Sequence, residues 1–154
     1  MRLLVRIVLC AFGLILAISA GTTFLVVASV FDPTLGDFAH RVFWAGFMEL
    51  WNWLDEPGPM PGGYAVAVYA ATTTLLVAPP VVIALAGEIW GTRSLAWYAA
   101  ATAGLTAAIP WIARASVRAP TAAEGRITLA LFLTGAVAGF VYWLFAGRSA
   151  GRAP

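Results

Sequence analysis

The sequence predicts an all-α membrane protein: four transmembrane helices plus one amphipathic interfacial helix between the first and second. Three observations carry this. Four long apolar runs occupy Ile7–Phe31, Gly62–Gly87, Ser94–Ala113 and Ile127–Gly147, and each reaches the roughly 20 residues that cross a bilayer. Of 154 residues, 62% are hydrophobic and 10% are charged, where soluble domains run near 25% charged. The charged residues also fall almost entirely between the runs. A water-soluble fold could not cover that much apolar surface. The length fits one integral membrane domain over residues 1–154, with little left for a second.

The first span is expected at about residues 5–31. Arg2 and Arg6 followed by an apolar stretch imitate a secretory leader. The apolar run, however, is about 25 residues long, beyond the 7–15 of a leader's apolar region, so an uncleaved anchor is expected. Ile18-Ser19-Ala20 is a poor cleavage site, and Cys10 follows Leu9 and Val8 rather than the small residues of an acylation site. At 1.5 Å per residue this helix exceeds a hydrocarbon core of about 30 Å, so it should tilt. Asp32-Pro33 ends it, because proline disfavours helix at the residue before it.

The segment between the first two spans is the only substantial loop. Thr34-Leu35-Gly36-Asp37 reads as a capping box that would start a helix over about 35–55. Placed at 100° per residue, Asp37, Arg41, Glu49, Asn52, Asp55 and Glu56 share one face. Ala39, Val42, Phe43, Gly46, Phe47, Leu50, Trp53 and Leu54 share the other, with His40, Trp44 and Trp51 at the border. That pattern fits a helix lying in the membrane surface, with Trp44, Trp51 and Trp53 at headgroup depth. Pro57-Gly58-Pro59-Met60-Pro61-Gly62-Gly63 then breaks regular structure.

The second span is expected at about 64–86, with a kink at Pro79-Pro80, where two backbone donors are missing. Thr72, Thr73 and Thr74 precede the kink and can bond backbone carbonyls within the membrane. Gly87 and Gly91 bracket the exit. Glu88 is placed just past the helix, within reach of Arg93 across the turn. The third span, about 94–113, has Ser94 at its N-cap position, many alanines, and Pro110 near its end. A turn at Ala119-Pro120 and a second capping box, Thr121 to Glu124, lead into the fourth span at about 124–147.

Three spans carry small residues at four-residue spacing: Gly13, Ala17 and Gly21; Ala100, Gly104 and Ala108; Gly135 and Gly139. Such faces let helix backbones approach closely in lipid. They serve either packing within one bundle or association with another copy or protein.

Chemistry is sparse. His40 is the only histidine and Cys10 the only cysteine. A metal site needs three or four converging ligands, and haem held by two histidines would need a partner chain. No cofactor, no metal and no catalytic residue is expected. Asp37 and Arg41 at i,i+4 spacing read as a solvated pair. The net charge of +2 is too small to argue for nucleic acid. All nine basic residues are arginine, and alanine and glycine abound, which points to a GC-rich bacterial genome. With the N-terminus inside, Arg2, Arg6, Arg93, Arg148 and Arg152 would lie inside, and Arg41, Arg114, Arg118 and Arg126 outside. The weight of the first helix favours cytoplasmic termini in a bacterial inner membrane, and the near balance leaves a dual-topology homodimer open.

The stretch from Gly135 to Gly151, ending in Tyr142-Trp143-x-x-Ala146-Gly147-Arg148, resembles the C-terminal end of small uncharacterised inner-membrane proteins of proteobacteria. The resemblance implies a location and no activity. The expected role is non-enzymatic: an accessory or structural component packing with other membrane proteins or with itself. The alternatives are a small transporter, with Thr72, Thr73, Thr74 and Glu88 along a polar path at the kink, and an envelope sensor using the loop.

Overall fold

The computed structural model describes residues 2–55, 63–114 and 121–150. They form α1 (Arg2–Phe31), α2 (Pro33–Asp55), α3 (Gly63–Trp90), α4 (Leu95–Arg114) and α5 (Ala122–Phe145), followed by a single 3-10 turn at Gly147–Ser149. Four of these helices are long and apolar enough to cross a membrane: α1, α3, α4 and α5. The expected breaker at 57–62, the Ala119-Pro120 turn, the side chains of Trp53 and Thr72, and most of the two faces assigned to α2 lie outside the described residues.

The helix boundaries follow from local chemistry, with one correction. The box expected from Thr34 to Asp37 does not start α2; Asp32 does. Its Oδ1 accepts from the Thr34 amide at 2.8 Å and the Leu35 amide at 3.4 Å. Proline suits the first helical position, because its missing N–H would have had no partner there. Asp32-Pro33 therefore ends one helix and begins the next. These amides, Thr34 foremost, hold the Asp32 carboxyl below its ordinary value, with Arg126 nearby adding to the effect. Right after this junction, Leu35 is buried and Gly36 faces the Ser29 carbonyl. A Cβ at Gly36 would sit 2.8 Å from that oxygen, so a side chain there would push α2 off the last turn of α1.

α3 runs unbroken through Pro79 and Pro80, both buried. The carbonyls of Leu75 and Leu76, one turn earlier, receive no N–H from these two positions. The helix continues to Trp90, so Glu88 lies in its last turn and not beyond it. It closes on a Schellman motif: the Thr92 amide reaches the Gly87 carbonyl at 2.9 Å, and the Gly91 amide reaches Glu88 at 3.3 Å. Gly91 takes φ 62°, the left-handed conformation that favours glycine. At α5 the second capping box forms as read from the sequence. Thr121 Oγ1 accepts from the Glu124 amide, and the Glu124 carboxylate accepts from the Thr121 amide at 2.8 Å.

α5 is the centre of the bundle, packed on α1 along one side and on α4 along another, while α3 leans mainly on α4. Gly13 of α1 faces Ala146, the C-cap of α5, and Gly21 faces Ala138 of α5. Gly135 and Gly139 of α5 face the backbone of α4 at Thr102–Ala103 and Tyr98–Ala99. These registers make α1 and α4 antiparallel to α5. The main apolar core sits toward the end where α1 begins and α5 finishes. It comprises Ala17, Ile83, Ala84, Tyr98, Ala138, Tyr142 and Ala146. Two of the threonines buried between α4 and α5 bond within their own helices. Thr106 donates to the Thr102 carbonyl and Thr134 to the Ala130 carbonyl, both at 2.8 Å.

Candidate functional site

The bundle end where α1 begins and α5 finishes also gathers the polar side chains. Arg6 lies one turn inside α1, Glu88 in the last turn of α3, Tyr142 near the end of α5, and Ser149 in the turn beyond it. The Arg6 guanidinium grips Glu88 on both oxygens: Nη2 donates to Oε1 and Oε2 at 2.7 Å, and Nε to Oε2 at 3.1 Å. Its remaining Nη1 donates to Ser149 Oγ at 2.6 Å, and Ser149 donates onward to the Ala146 carbonyl at 3.0 Å. The Tyr142 hydroxyl donates to Glu88 Oε1 at 3.3 Å. The paired side chains are 27% and 24% exposed. That level of burial strips much of the water that screens a surface pair.

The neighbouring α3–α4 turn is tied to the same cluster. Tyr98 donates to the Thr92 carbonyl at 3.0 Å, Trp143 Nε1 to the Arg93 carbonyl at 2.8 Å, and Arg93 Nε to the Ala150 carbonyl at 2.7 Å. The Tyr98 and Tyr142 rings pack at 5.3 Å beneath. The Tyr98 ring occupies the space left by the missing side chains of Gly87 and Gly147. Cys10, one turn after Arg6, packs against this core.

The pairing expected between Glu88 and Arg93 is corrected: Glu88 is taken by Arg6, and Arg93 points its Nε to a carbonyl. The residues of the expected polar path are not brought together. Thr73 is half-buried and Thr74 exposed. Both lie about 20 Å from Glu88 along the same helix at 1.5 Å per residue. A shallow open groove lies along α1 alone, over Ile18, Ser19, Thr22, Thr23, Val26 and Val27. Among the described residues, no three of His, Cys, Asp and Glu gather as metal ligands.

The small-residue faces have different fates. Ala17 and Gly21 are buried with Gly13 against α5, and Gly135 and Gly139 against α4. Ala100 and Gly104 are exposed, Ala108 is half-buried, and a Cβ on Gly104 would meet nothing within 4 Å. The bundle uses the other side of α4. On α2, Trp44 and Trp51 are exposed and join His40 and Phe47 in a ladder of rings at 5.9, 5.5 and 6.2 Å.

Sequence reasoning missed Arg6, Tyr98, Tyr142 and Ser149 as one cluster. The signal was present in topology. Spans that alternate in direction bring the start of the first span beside the end of the second. Arg6 and Glu88 therefore share a depth although 82 residues separate them.

No family model, curated protein or solved structure matches this chain.

Proposed function

We propose that the chain is a multi-pass inner-membrane protein with a non-enzymatic role, an accessory or structural component that packs against other membrane proteins or a second copy. The observation that carries this reading is the outer face of α4. α1, α3 and α5 each present large apolar side chains outward, such as Ile15, Val82, Leu85, Leu129 and Phe132. Between Leu95 and Ile112, α4 exposes none; it offers Ala96, Ala100 and Gly104. Lipid-facing surfaces have no need of small residues, whereas helix–helix interfaces are enriched in them.

In this reading α2 lies in the headgroup layer on the far side from the chain ends. Support comes from its exposed Trp44, Phe47, Met48, Trp51 and Leu54, and from its absence among the helices apolar enough to span. Cytoplasmic termini are favoured by Arg6, Arg93 and Arg148 at one end of the bundle. The transport alternative has less to stand on, since Glu88 has both oxygens occupied by Arg6.

Native co-purification in mild detergent tests the proposal. A stoichiometric membrane partner, or a dimer of this chain, that is lost in Gly104→Leu supports it. A monomer that carries protons or solutes in liposomes, with flux abolished in Glu88→Gln, overturns it in favour of transport.

A further inference from the structure

Four arginine side chains are described, and they divide into two kinds. Arg6 is paired with Glu88 and Arg126 approaches Asp32 at 4.0 Å. Arg93 and Arg148 have no acidic partner among the described residues, and Trp143 touches both, Arg93 at its backbone and Arg148 at its side chain. Trp143 donates to the Arg93 carbonyl, and the Arg148 guanidinium lies 5.4 Å from the Trp143 ring centre. Both guanidinium groups are anchored through Nε to backbone carbonyls, Arg93 to Ala150 at 2.7 Å and Arg148 to Leu144 at 3.0 Å. Anchoring at Nε fixes the plane of each fork and leaves its terminal nitrogens for another acceptor. Both side chains are exposed. The nearest described carboxylate at this end, Glu88, is taken by Arg6.

The surface beside them changes from charged to apolar within one helical turn. Phe140 stacks with Trp143 at 6.4 Å and is 43% exposed, one turn deeper along α5. Two unneutralised guanidinium groups where α5 ends, one against the Ala150 carbonyl and one beside the Trp143 ring, with the exposed Phe140 ring a turn deeper, match one ligand chemistry: a phosphodiester with an acyl chain attached. We propose that Arg93 and Arg148 seat the phosphate of an anionic phospholipid, with its acyl chain along the Trp143–Phe140 stack. The seat rests on the reading of the chain as an integral membrane protein, and it is independent of any protein partner on α4.

The test is native mass spectrometry of the full chain, released from mixed micelles with equal phosphatidylglycerol and phosphatidylcholine. The wild type is expected to retain phosphatidylglycerol at least fivefold over phosphatidylcholine. Arg148→Gln, which loses the bond to the Leu144 carbonyl and the cation over the Trp143 ring, should cut that preference at least threefold, and Arg148→Lys should keep part of it. Arg126→Gln, at the opposite end, should match the wild type. Equal retention of the two lipids, or an Arg148→Gln variant indistinguishable from the wild type, overturns the proposal. So does displacement of the lipid by millimolar inorganic phosphate, which would mark a general anion site. A chain released from membranes by a carbonate wash, before any lipid is measured, would defeat the membrane reading instead.

Discussion

The two sides of α4 have opposite environments. Its inner side is pressed against α5 so closely that a Cβ at Gly135 would lie 2.7 Å from the Thr102 carbonyl and 2.8 Å from the Ala103 Cα. Its outer side, at Gly104, would meet nothing within 4 Å. Both seams use small residues at four-residue spacing, and only one is filled. The filled seam places its glycines on α5 and gives α4 the larger Tyr98, Thr102 and Thr106. Close approach here is asymmetric, with glycine on one helix receiving the backbone and side chains of the other. On the proposed reading, the open small-residue face of α4 is the side that a partner helix would fill.

The largest expected effect comes from closing the filled seam. Gly139 faces the Tyr98 carbonyl carbon, 2.7 Å from where its Cβ would stand, with the Ala99 Cα at 2.9 Å. Those atoms are backbone and cannot rotate away. Gly139→Leu should push α4 off α5 and cost about 3 kcal/mol, the upper range for overpacking a core. Resistance to unfolding on titration with sodium dodecyl sulfate measures it. A loss under 1 kcal/mol would mean that the two helices are held apart more loosely than their registers imply.

The charged latch at the end of the seam should matter next. Arg6→Met leaves Glu88 half-buried without its cation. A cost of about 2 kcal/mol is expected, between the values for surface and buried pairs. The double variant Arg6→Met/Glu88→Leu should recover most of that loss, because the uncompensated charge is gone. If the double variant is as unstable as the single, the latch contributes attraction well beyond its desolvation cost. Tyr98→Phe probes the same end more gently. It removes the bond to the Thr92 carbonyl and keeps the ring between Gly87 and Gly147. About 1 kcal/mol should be lost in the same titration.

Much of this architecture was legible from the chain. The four helices long and apolar enough to span follow from run length, and Thr121 to Glu124 encoded a capping box that forms. The junction at Asp32-Pro33 was half legible. Its stop signal was plain, but the same two residues also satisfy the start of α2, and the weaker Thr34 signal lay two residues later. Glu88 was misassigned because sequence proximity favoured Arg93, five residues away, over Arg6, 82 away. Small-residue spacing could not say which stripe is used. Gly139 and Gly104 look alike in sequence, and only the Tyr98 and Thr102 ridge opposite separates them.

Gly104→Leu should have the smallest effect on the chain itself and is the sharpest probe of the open face. The position is exposed and empty on its outer side. Leucine is a better helix former than glycine by close to 1 kcal/mol in a helix interior, and it would add to this face the kind of large apolar side chain that α1, α3 and α5 already present outward. Unfolding of the isolated chain should therefore shift by less than about 1 kcal/mol, toward greater stability. Any assembly formed through this face should be lost, since a leucine there fills the space into which a facing helix would settle. The two readouts move independently only if the outer face of α4 is free in the single chain and covered in the assembly. A marked loss of stability in the isolated chain would place another part of the same molecule over Gly104.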